Sequence, residues 1–302
     1  MKRVERRPGN LEDWIIMKKF LTLLLALSMA LSLAACGGDD ATADTTEDTA
    51  TEDTGDTADT GATESDLSYV QDKGTLVVGI TEFEPMDYQD ADGNWIGFDA
   101  DMAKAFAESL GVEVQFQIID WDNKVMELDG KTIDVVWNGM TLTDEVTSAM
   151  ECSNAYCNNA QVVVLPADVA DQYSDAASLS GLNFAVESGS FGQAQADANG
   201  FTYTEVADQA TAVLEVESGT ADAAIIDSLM AGAMVGEGTS YADLTYTITL
   251  NPNEGEQYGV GFRKGSDLAA ELNQFFIDSY ADGTMTSLAE TYGIQAALIP
   301  QE

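Results

Sequence analysis

The 302-residue sequence contains no histidine. That excludes imidazole acid–base chemistry and every His-containing metal site. Bases are scarce as well: 12 Lys and Arg stand against 53 Asp and Glu, a formal net charge of −41. Six of those bases and three of those acids precede Cys36, so residues 37–302 carry 6 bases against 50 acids. A field of that sign repels nucleic acid and anionic lipid surfaces, so neither is expected as a partner. An anionic ligand group would need a local countercharge, and Lys73, Lys104, Lys124, Lys131, Arg263 and Lys264 are all that is available after Cys36. Long apolar runs are also missing: beyond residue 36 nothing approaches the ~20 residues of a membrane span.

The one apolar run lies near the start. Residues 17–36, MKKFLTLLLALSMALSLAAC, place two lysines, an apolar stretch and small residues ahead of a cysteine. This is the three-part layout of a secretory signal. Leu33-Ala34-Ala35-Cys36 looks like a bacterial lipobox, in which Cys36 is acylated and becomes the mature first residue. The expected location is therefore the extracellular face of a bacterial cytoplasmic membrane of Gram-positive type, with attachment through lipid alone. Residues 1–16 precede a second Met-Lys-Lys start and read as an upstream start-site extension. Residues 37–66 hold 11 acids, no base and no large apolar side chain, which predicts a disordered, self-repelling tether. Of the three cysteines, Cys152 and Cys157 remain. Five apart in an exported chain, they suit either a small-loop disulfide or a pair of small buried hydrophobes. With no histidine beside them they do not suggest a metal site, and no cofactor is expected.

The remaining 236 residues alternate strand and helix patterns. Strands are predicted at 76–80, 112–118 and 133–137, and a helix at 100–110 carries Met102, Ala103, Phe106, Ala107 and Leu110 on one face. A short helix opens at Asp120-Trp121-Asp122. The run 161–165 is a further strand. The pattern then restarts, with strands at 182–186, 203–206, 223–226, 244–250 and 258–262 and helices between and after them. Such alternation predicts an α/β fold with open, mainly parallel sheets flanked by helices. The restart between two extended segments predicts two lobes: residues 67–163 with 260–302, and residues 164–259.

The chemistry points to binding. Glu187-Ser188-Gly189-Ser190-Phe191-Gly192 lacks both the Walker lysine and the dinucleotide glycine spacing, and no histidine is available to activate Ser188, so no catalytic residue is assigned. The strand 133–137 opens into Asn138-Gly139-Met140-Thr141 beneath a helix start at Thr143, the kind of corner where α/β proteins hold small ligands. Phe83, Met86, Trp121, Trp137 and Tyr156 could supply an aromatic or apolar wall, or fill the core. Thr141 could donate to a ligand or cap the following helix, and Gly139 permits close backbone approach. Ser190 stands at a predicted helix N-terminus, with Phe191 next to it. Asp227, at the end of a strand, is the candidate partner for an ammonium group, with a helix cap as its alternative role. Glu82, Asp87 and Asp122 near the predicted mouth favour a cationic or zwitterionic ligand.

These segments resemble the lipoprotein solute-binding components of polar amino-acid ABC transporters. The resemblance is carried in order by GlyThrLeuValValGly (74–79), GlyAsnTrpIleGlyPheAsp (93–99), GlyLysThrIleAspValVal (130–136), GlyMetThrLeuThrAspGlu (139–145) and AspAlaAlaIleIleAspSer (222–228). It implies a periplasmic-binding-protein-like fold of two lobes joined by two crossover strands, closing on one ligand that is handed to a membrane permease by a monomeric receptor. It implies that Phe83 stacks on the ligand, that Gly139 and Thr141 meet its α-amino group, that Ser190 and Phe191 meet its carboxylate, and that Asp227 pairs with its amine. One position departs from the pattern. Val146 stands where an arginine normally clamps the carboxylate, and no neighbouring base in the sequence replaces it, unless Arg263 reaches in. The ligand is then either an α-amino acid held by other groups, or an amine, small peptide or modified amino acid without a clamped carboxylate. An extracellular sensor role is the alternative outside transport.

Overall fold

A computed structural model describes residues 65–250 and 255–302. Cys36, the signal segment and the tether as far as residue 64 lie outside the described residues. None of the described helices is long and apolar enough to cross a membrane.

The first described helix begins slightly earlier than the composition predicts. Ser65 caps α1 (Asp66–Lys73), accepting from the Ser68 amide, and Asp66 is already in the first turn. The expected tether, ending at residue 66, overlaps the described residues at Ser65 and Asp66, where the Asp66 carboxylate pairs with Arg263.

Two sheets follow. The first contains β1 (Thr75–Ile80), β4 (Glu113–Ile118), β5 (Val135–Thr141), β6 (Glu151–Cys152), β7 (Cys157–Asn159) and β13 (Glu256–Phe262), ordered β4-β1-β5-β13-β6 with β7 also on β13. Strands β4, β1 and β5 are parallel, and β13 runs against β5. The ribbon of β2 (Tyr88–Gln89) and β3 (Trp95–Ile96) leads to α2 (Phe98–Leu110), whose Met102, Ala103 and Phe106 are buried as the periodicity predicts. A single 3-10 turn at Trp121–Asn123 runs into α3 (Lys124–Asp129), and α4 (Asp144–Ala149) follows β5. The second sheet is ordered β10-β9-β11-β8-β12, from β8 (Gln161–Pro166), β9 (Asn183–Glu187), β10 (Thr202–Val206), β11 (Ala223–Asp227) and β12 (Leu244–Leu250). Strands β10, β9 and β11 are parallel, with β8 and β12 antiparallel at the far side. Helices α5 (Phe191–Asn199), α6 (Gln209–Glu217) and α7 (Ser228–Met234) belong to this half, while α8 (Leu268–Ala281) and α9 (Thr284–Thr291) return to the first. The fold is two-lobed, mixed α/β.

The chain passes from the first sheet to the second almost without a break, since only Ala160 separates β7 from β8. Strand β8 lies wholly in the second sheet and β13 wholly in the first, whereas the sequence pattern divides them at 163/164 and 259/260. Both strands are uniformly apolar over the divided stretch, so hydropathy alone does not mark the crossing.

Strand β5 also differs from its expected bounds. It starts two residues later than predicted and continues through Asn138-Gly139-Met140 to Thr141. The register against β13 slips between Gly259 and Gly261, and Gly139 adopts φ 56°. This is a β-bulge, which bends the strand and re-aims its last side chains. A Cβ at Gly139 would sit 2.5 Å from Phe83 Cε1, so no side chain fits.

Cys152 and Cys157 are free thiols, the first half-buried and the second fully buried, which fits the reading as small buried hydrophobes and not the disulfide. The ladder separates them: Cys152 is opposite Gly261 and Cys157 opposite Tyr258. Three residues along a strand are about 10 Å, beyond the ~7 Å Cα limit of a disulfide.

Arg263 does not reach the cleft. Its guanidinium is buried among Asp66 (2.9 Å), the carbonyls of Leu128 (3.2 Å) and Ile133 (3.0 Å), and Asp134 (3.7 Å). That network ties α1 to the amino end of β5, opposite the end where β5 meets the second lobe. Removing one member of a buried ionic network leaves the others unpaired, at a cost of about 3–5 kcal/mol. Arg263→Ala is therefore expected to lower the denaturant midpoint by that equivalent, read by circular dichroism, while leaving ligand affinity unchanged. In unreduced protein beginning after Cys36, a thiol reagent under denaturing conditions should count both remaining cysteines; a count of zero would mean a disulfide.

Candidate functional site

The carboxyl ends of the parallel strands of both sheets converge where the lobes meet, the usual ligand position in open α/β sheets. β5 delivers Thr141, β9 delivers Glu187, β11 delivers Asp227, and the turn before α5 delivers Ser190. Together with Trp121, Asn138, Gly139, Phe191 and Gln209 they enclose a cavity of about 20 Å³. An adjoining cavity of about 340 Å³ shares Trp121, Thr141, Ser190 and Phe191 and extends past Lys124, Val146 and Glu145.

Its floor is a carboxylate network. Asp227 accepts from the side-chain amides of Asn159 and Gln209 and from Gln161 Nε2 at 2.6 Å. Gln209 Oε1 accepts from the Asp227 amide at 2.7 Å, locking the two together. Asn159 and Gln161 also donate to Glu256 Oε1, at 2.7 and 2.9 Å, and Thr141 Oγ1 donates to the same oxygen at 2.9 Å. Residues from both sheets thus share one set of donors. Asp227 makes no helix-capping bond, and Thr143 rather than Thr141 caps α4.

Burial dominates the electrostatics. Desolvation, with the nearby Glu256 charge, raises Asp227 to about 7. Glu187 is only 2% exposed, and its Oε1 has no hydrogen-bond partner. Desolvation raises it to about 8, against a hydrogen bond from Thr81, with Asp227 and Asp208 adding repulsion. Beneath the bulge lie two more buried acids. Asp99 Oδ2 accepts from the Gly139 amide and the Tyr156 hydroxyl, each at 2.7 Å, and burial lifts its pKa to about 7. Asp87 accepts from Asn138 Nδ2 at 2.8 Å and is raised by burial and by facing Asp99.

The predicted residues divide accordingly. Trp121, Asn138, Gly139, Thr141, Ser190, Phe191 and Asp227 line the small cavity. Phe83 is not among its lining residues; it is packed edge-on against Tyr258, with centroids 6.2 Å apart, and backs Gly139. Met86 is fully buried, and its carbonyl accepts the Asp99 and Ala100 amides at the start of α2. Trp137 and Tyr156 fill the core between Phe106, Phe98 and Phe276. Several predicted donors are already committed: the Gly139 amide to Asp99, and all of the Asn138 amide to Thr81 and Asp87. Asp87 is not at the mouth, because Asn138 holds it under β5. Asn159, Gln161, Glu187, Gln209 and Glu256 were not anticipated. Gln161, Glu187 and Asp227 do share one signal: each is the polar residue at the end of an apolar run within its strand, facing the seam.

A carboxyl group whose pKa rises on folding holds its proton more tightly in the native state than in the unfolded chain. Its contribution to stability is complete below the ordinary carboxylate range and is lost as pH rises through the folded value. For Asp99, Asp227 and Glu187 that window runs from about 4 to 7 or 8. The ligand-free protein is therefore expected to melt higher at pH 5.5 than at pH 8, by on the order of 5 °C, in differential scanning calorimetry. A melting temperature that rises with pH over this range would contradict the assignment.

The profile of the bacterial extracellular solute-binding proteins, family 3, matches residues 76–295, more than half of the chain. L-cystine-binding protein TcyJ of Escherichia coli is 28% identical over 235 residues, which is 76% of this chain and 87% of that protein. The arginine-binding extracellular protein ArtP of Bacillus subtilis is 27% identical over 282 residues, 91% of this chain and 98% of that one. Among solved structures, a variant of ArgBP from T. maritima superposes with a TM-score of 0.70 at 30% identity, covering 76% of this chain and 99% of its own. With two lobes, a cavity at their seam and this match along most of its length, the chain belongs to the bacterial extracellular solute-binding proteins of family 3.

Proposed function

We propose that the protein captures a zwitterionic or cationic amino acid between its lobes and delivers it to a cognate ABC permease. In this reading it acts as a monomeric, lipid-anchored receptor on the outer face of the cytoplasmic membrane, held through Cys36. The carrying observation is the pair of acids at the seam with no base beside them: Asp227 and Glu187 are both buried and both line the small cavity, whose lining holds no Lys or Arg. An ammonium group entering there offsets the desolvation, and the lesser carboxylate repulsion, that raise their pKa values. Thr141 and Ser190 add hydroxyls, and the Trp121 ring adds an apolar wall. The similarity to receptors named for cystine and arginine supports the same ligand class. The chemistry proposed is binding, with no residue assigned to a bond-breaking step.

The test is titration calorimetry of the purified protein with L-arginine, L-cystine and L-glutamate. Arginine or cystine is expected to bind and glutamate not. Preferential binding of glutamate would overturn the proposal. Asp227→Asn removes the charge while keeping the shape and is expected to weaken binding by about 30-fold or more, the effect of leaving a buried charge unpaired. Because Asp227 titrates near 7 in the free protein, an ammonium ligand must displace its proton at lower pH. Affinity should be level above about pH 7 and fall by up to about tenfold per unit below it. An affinity independent of pH from 5.5 to 8 would count against Asp227 as the ammonium partner.

A further inference from the structure

Lys124 is the one base that lines the larger cavity. It begins α3, directly after the turn that carries Trp121, and is only 9% exposed. Its Nζ donates to the Trp121 carbonyl at 3.1 Å and, across the seam, to the Gly189 carbonyl at 3.0 Å. It also lies 5.0 Å from the centre of the Trp121 ring. No ion pair within 4.0 Å joins it to a carboxylate among the described residues, in contrast to Lys73, Lys104, Arg263 and Lys264. Glu187, Asp122 and Glu145 act on it only at longer range.

A buried ammonium solvated by two carbonyls has one N–H left and no contacting counter-anion. Burial of a charge in that state is unfavourable unless something of opposite sign completes it. The lining supplies the location: Lys124 faces the same cavity as Thr141, Ser190 and Val146. Its approach to Gly189 is fixed, because φ at Gly189 is 71° and a Cβ there would fall 2.6 Å from the Asp122 Cα. The lobes therefore meet tightly at this point, and Lys124 bridges them.

We infer that Lys124 is the carboxylate-recognising residue of the site, taking the ligand's anionic group with its remaining N–H. The inference rests on the amino-acid reading above and deepens it. An α-amino acid then spans the two adjoining cavities, its ammonium at Asp227 and its carboxylate at Lys124, with Trp121, Thr141 and Ser190 common to both. The base sits on α3 instead of α4, where Val146 offers only an apolar side chain. A point-charge ammonium replaces a planar two-pronged donor, so recognition is by charge more than by fixed geometry.

The test uses pairs of ligands that differ only in the carboxylate: L-arginine with agmatine, and L-cystine with cystamine. Calorimetry is run on the wild-type protein, Lys124→Met and Lys124→Arg. Lys124→Met is expected to weaken the amino acid by about 30-fold or more and the decarboxylated partner by about threefold at most. Lys124→Arg, which keeps the charge, is expected to stay within about tenfold of wild type for the amino acid. Equal losses for the amino acid and its amine would mean that Lys124 only bridges the lobes, and would overturn the inference. So would an unchanged affinity in Lys124→Met. Failure of the wild-type protein to bind either amino acid would overturn the functional reading and this inference with it, which separates the two failures.

Discussion

The seam between the lobes is governed by the desolvation of carboxylates. Asp227 and Glu256 come from different sheets and accept hydrogen bonds from the same two amides, Asn159 and Gln161. The donors themselves flank the crossing from β7 to β8. A polar network on a covalent crossing ties lobe position to site geometry: the sheets cannot shift relative to one another without stretching bonds to Asp227 and Glu256. In a low-dielectric setting such bonds are strong when satisfied, and unpaired members are costly. Glu187, beside this network on the cavity wall, has an oxygen left without a partner.

That incompleteness has a physical use. A buried acid pushed upward in pKa destabilises the ionised protein at neutral pH, and a cation that restores ionisation recovers the difference as binding free energy. The chain concentrates this effect. Asp87 and Asp99 hold the bulge of β5 from below, through Asn138 and the Gly139 amide. Asp227 and Glu187 face the cavity above it. The lower pair shapes the strand and the upper pair lines the cavity. Lys124 sets the opposite charge on the adjoining cavity, and the two cavities together have the two-signed character that a zwitterion requires.

Much of the fold is legible in the sequence because hydrophobic periodicity is local. The alternation through 112–118, the helical face of α2 and the apolar runs of β8, β9 and β11 each follow from neighbours within a few residues. Asp227 is legible for the same reason, as an acid closing an apolar strand. Gly139 was recognisable as a place for close backbone approach, but its bulge was not, since the slip of register is defined only against β13. Lys124 shows the opposite case. In sequence it is an ordinary polar residue in a short helix, 22 positions from Val146, and only the folding of α3 and α4 onto the same cavity brings the two together. Arg263 errs in the other direction: a lone arginine near the end of a strand looks available, yet Asp66, 197 positions away in the first described helix, claims it. The two cysteines are close in number and apart in the ladder.

The sequence by itself determined the two-lobed α/β class, the exclusion of histidine chemistry, the acidic field and the identity of most residues at the strand ends. These depend on composition and on short-range patterning, which survive without coordinates. Tertiary structure alone decided which polar groups remain available at the seam. Hydrogen bonds between segments far apart in the chain commit Asn138, the Gly139 amide and Arg263 to the framework. They leave Glu187 without a full set of partners and bring Lys124 to the cavity wall. Availability is a property of what each group already touches, and that is fixed only when the two sheets are built and brought together.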